Sequence, residues 1–270
     1  LCAHATHTLY IPFMSFFDVI LDGEDFYQHP TDERDFMDSW PRDRLRFNHP
    51  EKWGLINTWL WWTGASTPTG KHPSWAFKHE RAYAGALLAH DLYWTVQFRH
   101  QLDEKWLTQT QLCLDPETRF VPYWGNPGMA KHDYPNLTVC AWKKPGICVV
   151  LLSNWSKERL EADIELNVKE MGLDGLDQDK IRIRDVDSHL LSYFDNDLAK
   201  LKIPEAGDST ITAESGGGEE TDNDLEPEKK LTLEERKAAD PDGKFEWNGG
   251  RLKCPVRGHD FRLFEFSPIK

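Results

Sequence analysis

At "LDPETRFVPYWGNPG", residues 114 to 128, the chain stops spacing its apolar residues in one way and begins spacing them in another. Upstream, two apolar runs, "FFDVILDGE" (16–24) and "WGLINTWLWW" (53–62), read as strands buried on both faces. The polar segment between them, "TDERDFMDSWPRDRLRF" (31–47), reads as partly helical and interrupted by Pro41. Past a loop holding Gly64, Pro68, Gly70 and Pro73 comes "HERAYAGALLAHDLYWTVQF" (79–98). There Ala84, Leu87, Leu88, Asp91 and Leu92 keep a period of about 3.6 residues, which predicts a helix, with Tyr83, Tyr93 and Trp94 adding bulk. Strand, helix, strand, helix, with both strands buried, predicts a parallel sheet with helical crossovers.

Downstream the segments are short and separated by turn signals. "LTVCAWK" and "ICVVLLSNW" flank "KPG"; "EADIELNV" and "KIRIRDVDSHLLSYF" follow. "KFEW", "NGG", "RLKCPV" and "HDFRLFEF" close the chain, with Asn248-Gly249 a strong hairpin signal. Six or seven such strands predict an antiparallel β-sandwich. The expected division is therefore α/β for residues 1–112 and all-β for 117–270. Within the second part, residues 204–243 are acidic, rich in Gly and Ser and almost without aromatics, and read as a disordered, solvated insertion in a hairpin. Thr232 and Glu235 have capping-box spacing inside it.

That insertion also explains the charge. Residues 205–242 hold 13 acidic and 4 basic residues, so most of the net charge of −13 lies there. No basic patch interleaved with aromatics remains to bind nucleic acid. No apolar run approaches the roughly 18 residues that cross a bilayer, so no membrane partner is expected. The chain opens "LCAHATHTLY", without Met or a basic leader, and reads like the interior of a longer protein. Cys2, Cys113, Cys140, Cys148 and Cys254 contain no C-x-x-C pair and fit no zinc spacing. Cys140 and Cys148 flank the "KKPG" turn and meet across a hairpin in one register; buried free thiols are the default.

The chemistry-bearing residues gather at strand ends. Asp18, Asp22 and Glu24 share one face of the first run, and carboxylates two residues apart, as Asp22 and Glu24 are, stand about 6.5–7 Å apart there. Glycosidase carboxyl pairs need about 5–9.5 Å, so the spacing is permissive, though Asp22-Gly23-Glu24 is equally ordinary turn chemistry. Sites on parallel sheets collect at the C-terminal ends of strands, where this triplet falls. Trp59, Trp61 and Trp62 end the second run, and flat indole faces suit sugar rings; core packing accounts for them as well. His4 and His7 read as metal ligands on a helix, as hydrogen-bonding contacts to a sugar hydroxyl, or as structural residues; no carboxylate follows at zincin spacing. No metal site and no cofactor are expected. Arg42, Arg44 and Arg46 fit an anion clamp or a solvated helix with local ion pairs. No nucleophile elbow, phosphate loop or dinucleotide fingerprint occurs. Asn136 and Asn154 lie in glycosylation sequons.

The blocks "HATHTLYIPFMSFFDVILDGEDF", "RLRFNHPEKWGLINTWLWW", "FVPYWGNP", "VCAWKKPGICVVLLSNWSKERLEADIELNVKEMGL" and "HDFRLFEF", in that order, resemble the C-terminal part of large bacterial glycoside hydrolase-like proteins related to the family 123 hexosaminidases. The resemblance covers nearly all of the chain except the acidic insertion. It implies that residues 1–112 are the last units of a (β/α)8 barrel, truncated at its N-terminus, and that 117–270 are its C-terminal β-sandwich. It implies a glycosidase acting on a polysaccharide or amino-sugar glycan, secreted or periplasmic in the parent protein.

In that family an Asp-Glu pair on a middle strand does substrate-assisted chemistry. The corresponding strand precedes Leu1, and Glu24-Asp25 has the reverse order and a late position. The main catalytic pair is then missing and the fragment is expected to be inactive alone; Asp22 and Glu24, the carboxylates left as catalytic candidates, read rather as substrate contacts or as groups that support such contacts from behind. The rival expectation is a non-catalytic sugar-binding or structural protein, with Trp124, Trp142 and Trp155 as platforms.

Overall fold

The computed structural model describes residues 2–4, 16, 19–22, 31, 33–47, 56–59, 73–94, 116–125, 128–173, 176, 180–186 and 244–269. The acidic insertion lies outside them. The described strands are mostly antiparallel, with few helices, but the first four are parallel. Strands β1 (Cys2–His4), β2 (Val19–Asp22), β3 (Ile56–Trp59) and β4 (Tyr93–Trp94) lie side by side in chain order, each parallel to the next.

Among the described residues between β2 and β3 are two short helices, α1 (Phe36–Ser39) and α2 (Arg42–Phe47), with Pro41 between them. Asp35 caps α1 in a reciprocal box with Asp38, which satisfies donors that a four-residue helix leaves open at its start. Helix α3 (Pro73–Leu88) precedes β4.

The helix predicted over 79–98 therefore ends ten residues early. Leu92 N donates to Leu87 O and Asp91 N to Leu88 O, while Asp91 takes φ 54. This is a Schellman cap whose left-handed position carries Asp in place of the usual Gly. Apolar periodicity continues through it, so spacing alone did not mark the stop. Tyr93 and Trp94 belong to a strand.

Among the described residues, nine strands follow. β5 (Arg119–Val121), β7 (Leu137–Lys144), β8 (Ile147–Asn154), β10 (Ile181–Asp185) and β13 (Asp260–Pro268) form one antiparallel sheet, in the order β10-β13-β8-β7-β5. β6 (Ala130–Lys131), β9 (Leu160–Leu166), β11 (Glu246–Asn248) and β12 (Arg251–Val256) form another, in the order β11-β12-β9-β6. The β11–β12 turn centres on Gly249-Gly250, one residue beyond the Asn-Gly signal, because Asn248 pairs with Arg251. Both glycines take positive φ, as a tight two-residue hairpin requires.

The five-stranded sheet has no solvent face along β7, β8 and β13. Val139, Ala141, Val150, Leu152, Phe264 and Phe266 share one core with Ala162, Ile164, Leu252 and Cys254 of the other sheet. The alternate residues Cys140, Trp142, Val149, Leu151, Phe261 and Leu263 share a second core with α1 and α3. Strict period-two alternation thus divides each strand between two cores. In the second core, Phe36, Trp40 and Tyr83 form a triangle with ring centroids 5.1–5.4 Å apart. Edge contacts of this kind add about 0.5–1.5 kcal/mol per pair beyond area burial.

The same division settles the cysteine question. Cys140 lies opposite Leu151 and Cys148 opposite Lys143, and the two thiols point into different cores. Cys140, Cys148 and Cys254 are buried thiols outside any disulfide.

Candidate functional site

The parallel sheet aligns residues in rows. Ala3, Ile20 and Asn57 share one; His4, Leu21, Thr58 and Tyr93 share the next. The last row, at the C-terminal end, is Asp22, Trp59 and Trp94. Neighbours in a row are about 4.8 Å apart along the hydrogen-bonding direction. Asp22 and Trp59, singled out from separate apolar runs, are therefore register partners, and His4 stands in the row before theirs. His4 is on a strand, not a helix, so helical metal-ligand spacing with His7 does not apply. His7, Asp18, Glu24, Trp61 and Trp62 lie outside the described residues. Trp94 joins the row unexpectedly; its signal was masked by the continuing helical period.

Among the described residues, the row contains one carboxylate. Asp22 stands at one end of the row, with Trp59 between it and Trp94. Also among the described residues, no group of three or more His, Cys, Asp or Glu is placed to hold a metal ion. No described helix is long and apolar enough to cross a membrane.

The three tryptophans of the rival reading are committed elsewhere. Trp142 is 2% exposed and its Nε1 donates to Asp91 Oδ1 at 2.7 Å. Trp155 is 8% exposed, donates to Thr138 Oγ1 at 3.2 Å and lies under the Arg42 guanidinium. Trp124 is half-buried, stacked on His90 at 5.5 Å, with Arg46 over its ring. Arg46 also pairs with Asp43 at 3.1 Å, so the arginines of α2 serve this packing and a local ion pair. Tyr123 OH lies 3.1 Å from His90 Nε2; burial pushes its phenol up to about 12, against the opposing pull of Arg42 and Arg46.

Of the two sequons, Asn136 is exposed, whereas Asn154 is buried. The Asn154 amide donates to the carbonyls of Glu158, Val256 and Arg257, so it is a structural hub closed to modification in the folded chain.

A polar cluster absent from sequence reasoning joins the helices to the antiparallel sheets. Arg81 of α3 donates from Nε to Asp260 Oδ1 at 2.6 Å and from Nη2 to Phe261 O at 2.8 Å. Nearby, His79 and His259 approach the Asp35 carboxylate. These partners lie far apart in the chain, and no local motif announces them. A separate open groove of about 560 Å³ lies among β6, β9 and the β11–β12 turn, lined by Lys131, Glu165, Asn167, Lys169 and Gly249.

No family model matches the chain, and no curated protein matches it. Among solved structures, the trehalose-6-phosphate hydrolase of Bacillus licheniformis, a glycoside hydrolase, is similar at a TM-score of 0.42 and 8% identity. The match covers 98% of this chain and 56% of that one, so the chain spans little more than half that protein's length.

Proposed function

We propose that the chain is part of a carbohydrate-active enzyme, a glycosidase acting on a polysaccharide or amino-sugar glycan. In this reading β1–β4 are consecutive strands of a (β/α)8 barrel, and the two antiparallel sheets are the β-sandwich that follows it. The observation that carries the reading is the register row Asp22–Trp59–Trp94 at the C-terminal end of three of the four parallel strands, which lie in chain order. Loops after such strand ends form the sites of parallel α/β enzymes. A carboxylate beside indoles is suited to a sugar, whose hydroxyls donate hydrogen bonds and whose axial C–H faces stack on π systems. Asp22 and Glu24 contact the substrate, with His4 and His7 as polar contacts and Trp59, Trp61 and Trp62 as stacking groups; the acid and base are other residues.

The test is calorimetric titration with neutral and amino-sugar oligosaccharides, with reducing-end release assayed in parallel, on wild type, Asp22→Asn and Trp59→Ala. Binding that weakens at least tenfold in both variants, about 1.4 kcal/mol, supports the reading. Binding unchanged in both removes the row from the site. Binding without hydrolysis moves the reading toward a non-catalytic sugar-binding protein.

A further inference from the structure

In the joint between α1 and the β12–β13 turn, one imidazole sits between two carboxylates. His259 Nδ1 lies 3.9 Å from Asp35 Oδ2, and His259 Nε2 lies 3.4 Å from Asp38 Oδ1. Neither carboxylate is free to turn away. Asp35 Oδ1 accepts from Phe36 N at 2.7 Å, and Asp38 Oδ2 accepts from Asp35 N at 2.9 Å.

The ring is fixed from its own side too. His259 takes φ 50, its main-chain N donates to Ser156 O at 2.8 Å, and Gly258 before it is packed against the Lys157 carbonyl. The titratable groups that meet the same carboxylates include His79 of α3, 2.9 Å from Asp35 Oδ2, and Lys157, 3.5 Å from Asp38 Oδ2. Arg81 and Asp260 are paired with each other.

A neutral imidazole has one N–H and one lone pair. Placed here, it would set the lone pair against a carboxylate oxygen. The imidazolium turns an N–H toward both carboxylates, and its positive charge is attracted to theirs across the gaps of 3.9 and 3.4 Å. His79 brings Nδ1 to the same Asp35 oxygen at 2.9 Å, a contact that a single ring N–H can serve.

We infer that His259 is a proton-operated latch: protonated, it ties α1 to the β12–β13 turn, and loss of the proton loosens the joint between the helices and the antiparallel sheets. The left-handed, buried backbone position holds the ring where only the charged form suits both neighbours. The sign follows from linkage. A proton held more tightly in the folded than in the unfolded chain gives stability that is full below the ordinary imidazole value of about 6.5. That stability is lost as pH rises through the folded-state value.

The test is ring-nitrogen NMR of the folded wild type, with His259 assigned through bonds, at about pH 7.5, one unit above that ordinary value. Two protonated ring nitrogens are expected; a neutral ring overturns the latch. Urea unfolding between about pH 6 and 9 supplies the second readout. The wild-type midpoint should fall across that range, and that of His259→Asn, which tolerates the left-handed backbone, should be flatter. Equal pH dependence of the two also overturns the proposal. Asp38→Asn, at the less buried partner, should deprotonate the ring at lower pH in the NMR experiment even where His259→Asn fails to fold.

Discussion

Arg81 and Asp260, 179 positions apart in the chain, meet as a buried ion pair with Nε 2.6 Å from Oδ1. The guanidinium also lies 4.3 Å from the centre of the Phe261 ring, and Asp260 Oδ1 accepts from Phe261 N. Removing one member leaves the other charge buried without its partner, at a cost of about 3–5 kcal/mol. Asp260→Ala is therefore expected to lower stability by that amount in urea unfolding. Arg81→Met should cost less, since its side chain still fills the space and Asp260 keeps a main-chain donor. A midpoint for Asp260→Ala within error of wild type would refute the clamp.

Two glycines allow close approach across the same joint. A Cβ on Gly258 would overlap the Lys157 carbonyl, which is backbone and has little room to yield. A Cβ on Gly85 would stand 2.9 Å from Met37 Cε and 3.0 Å from Phe261 Cδ1. Overpacking of the second kind costs about 1–3 kcal/mol, part of it offset by roughly 1 kcal/mol of helix propensity gained over glycine. We expect Gly258→Ala to be the more damaging substitution. Thermal melts run side by side check the order, and the reverse order would contradict the packing described.

The cap at Asp91 separates strain from bonding. Asp91→Gly relieves the left-handed backbone but loses the Trp142 bond, so the net change should stay within about 1 kcal/mol. Asp91→Ala keeps the strain and loses the bond, for about 2 kcal/mol. Asp91→Asn keeps an acceptor and tolerates the backbone, and should resemble wild type. The predicted stability ranking puts Ala last; denaturant midpoints of the three variants decide it.

Burial pushes the Cys148 and Cys254 thiols up to about 12. Their unfolded value is about 8.5, so above that pH the unfolded chain binds fewer protons than the folded one and stability falls as pH rises. The loss should begin near pH 9 and continue toward the folded values near 12. In the native state neither thiol should react with a water-soluble disulfide reagent at neutral pH. The Cys148→Ala/Cys254→Ala variant should show a shallower alkaline loss, measured from urea midpoints, and an equally steep loss would show that other groups carry it.

The sequence made the strands legible where apolar runs were bounded by turn residues. Val19–Asp22 and Ile56–Trp59 lie inside the runs singled out, and the strands from Leu137 onward overrun theirs by no more than two residues. Pro41 divides two helices for the local reason it suggested. The end of α3 was illegible because Asp91 adopts its conformation with help from Trp142, 51 positions away, while the apolar period runs on undisturbed. Of the candidate site, Asp22 and Trp59 could be nominated separately as strand ends. Their pairing is a property of register, which no single strand reveals. The Asp35, His79 and His259 cluster was invisible for the same reason, since each residue alone reads as an ordinary solvated side chain.

The two-faced sheet of β7, β8 and β13 has a consequence for how such a chain can be inherited. Recombination at the change of pattern near residue 115 would hand on the antiparallel sheets without α1 and α3. Phe120, Trp142, Val149, Leu151, Phe261 and Leu263 would then lose the apolar cover that those helices provide. An exposed plate of that kind invites association or misfolding. The sheets are therefore not a freely exchangeable cassette, and any viable shuffled descendant must carry the helices, or a substitute apolar lid, along with them.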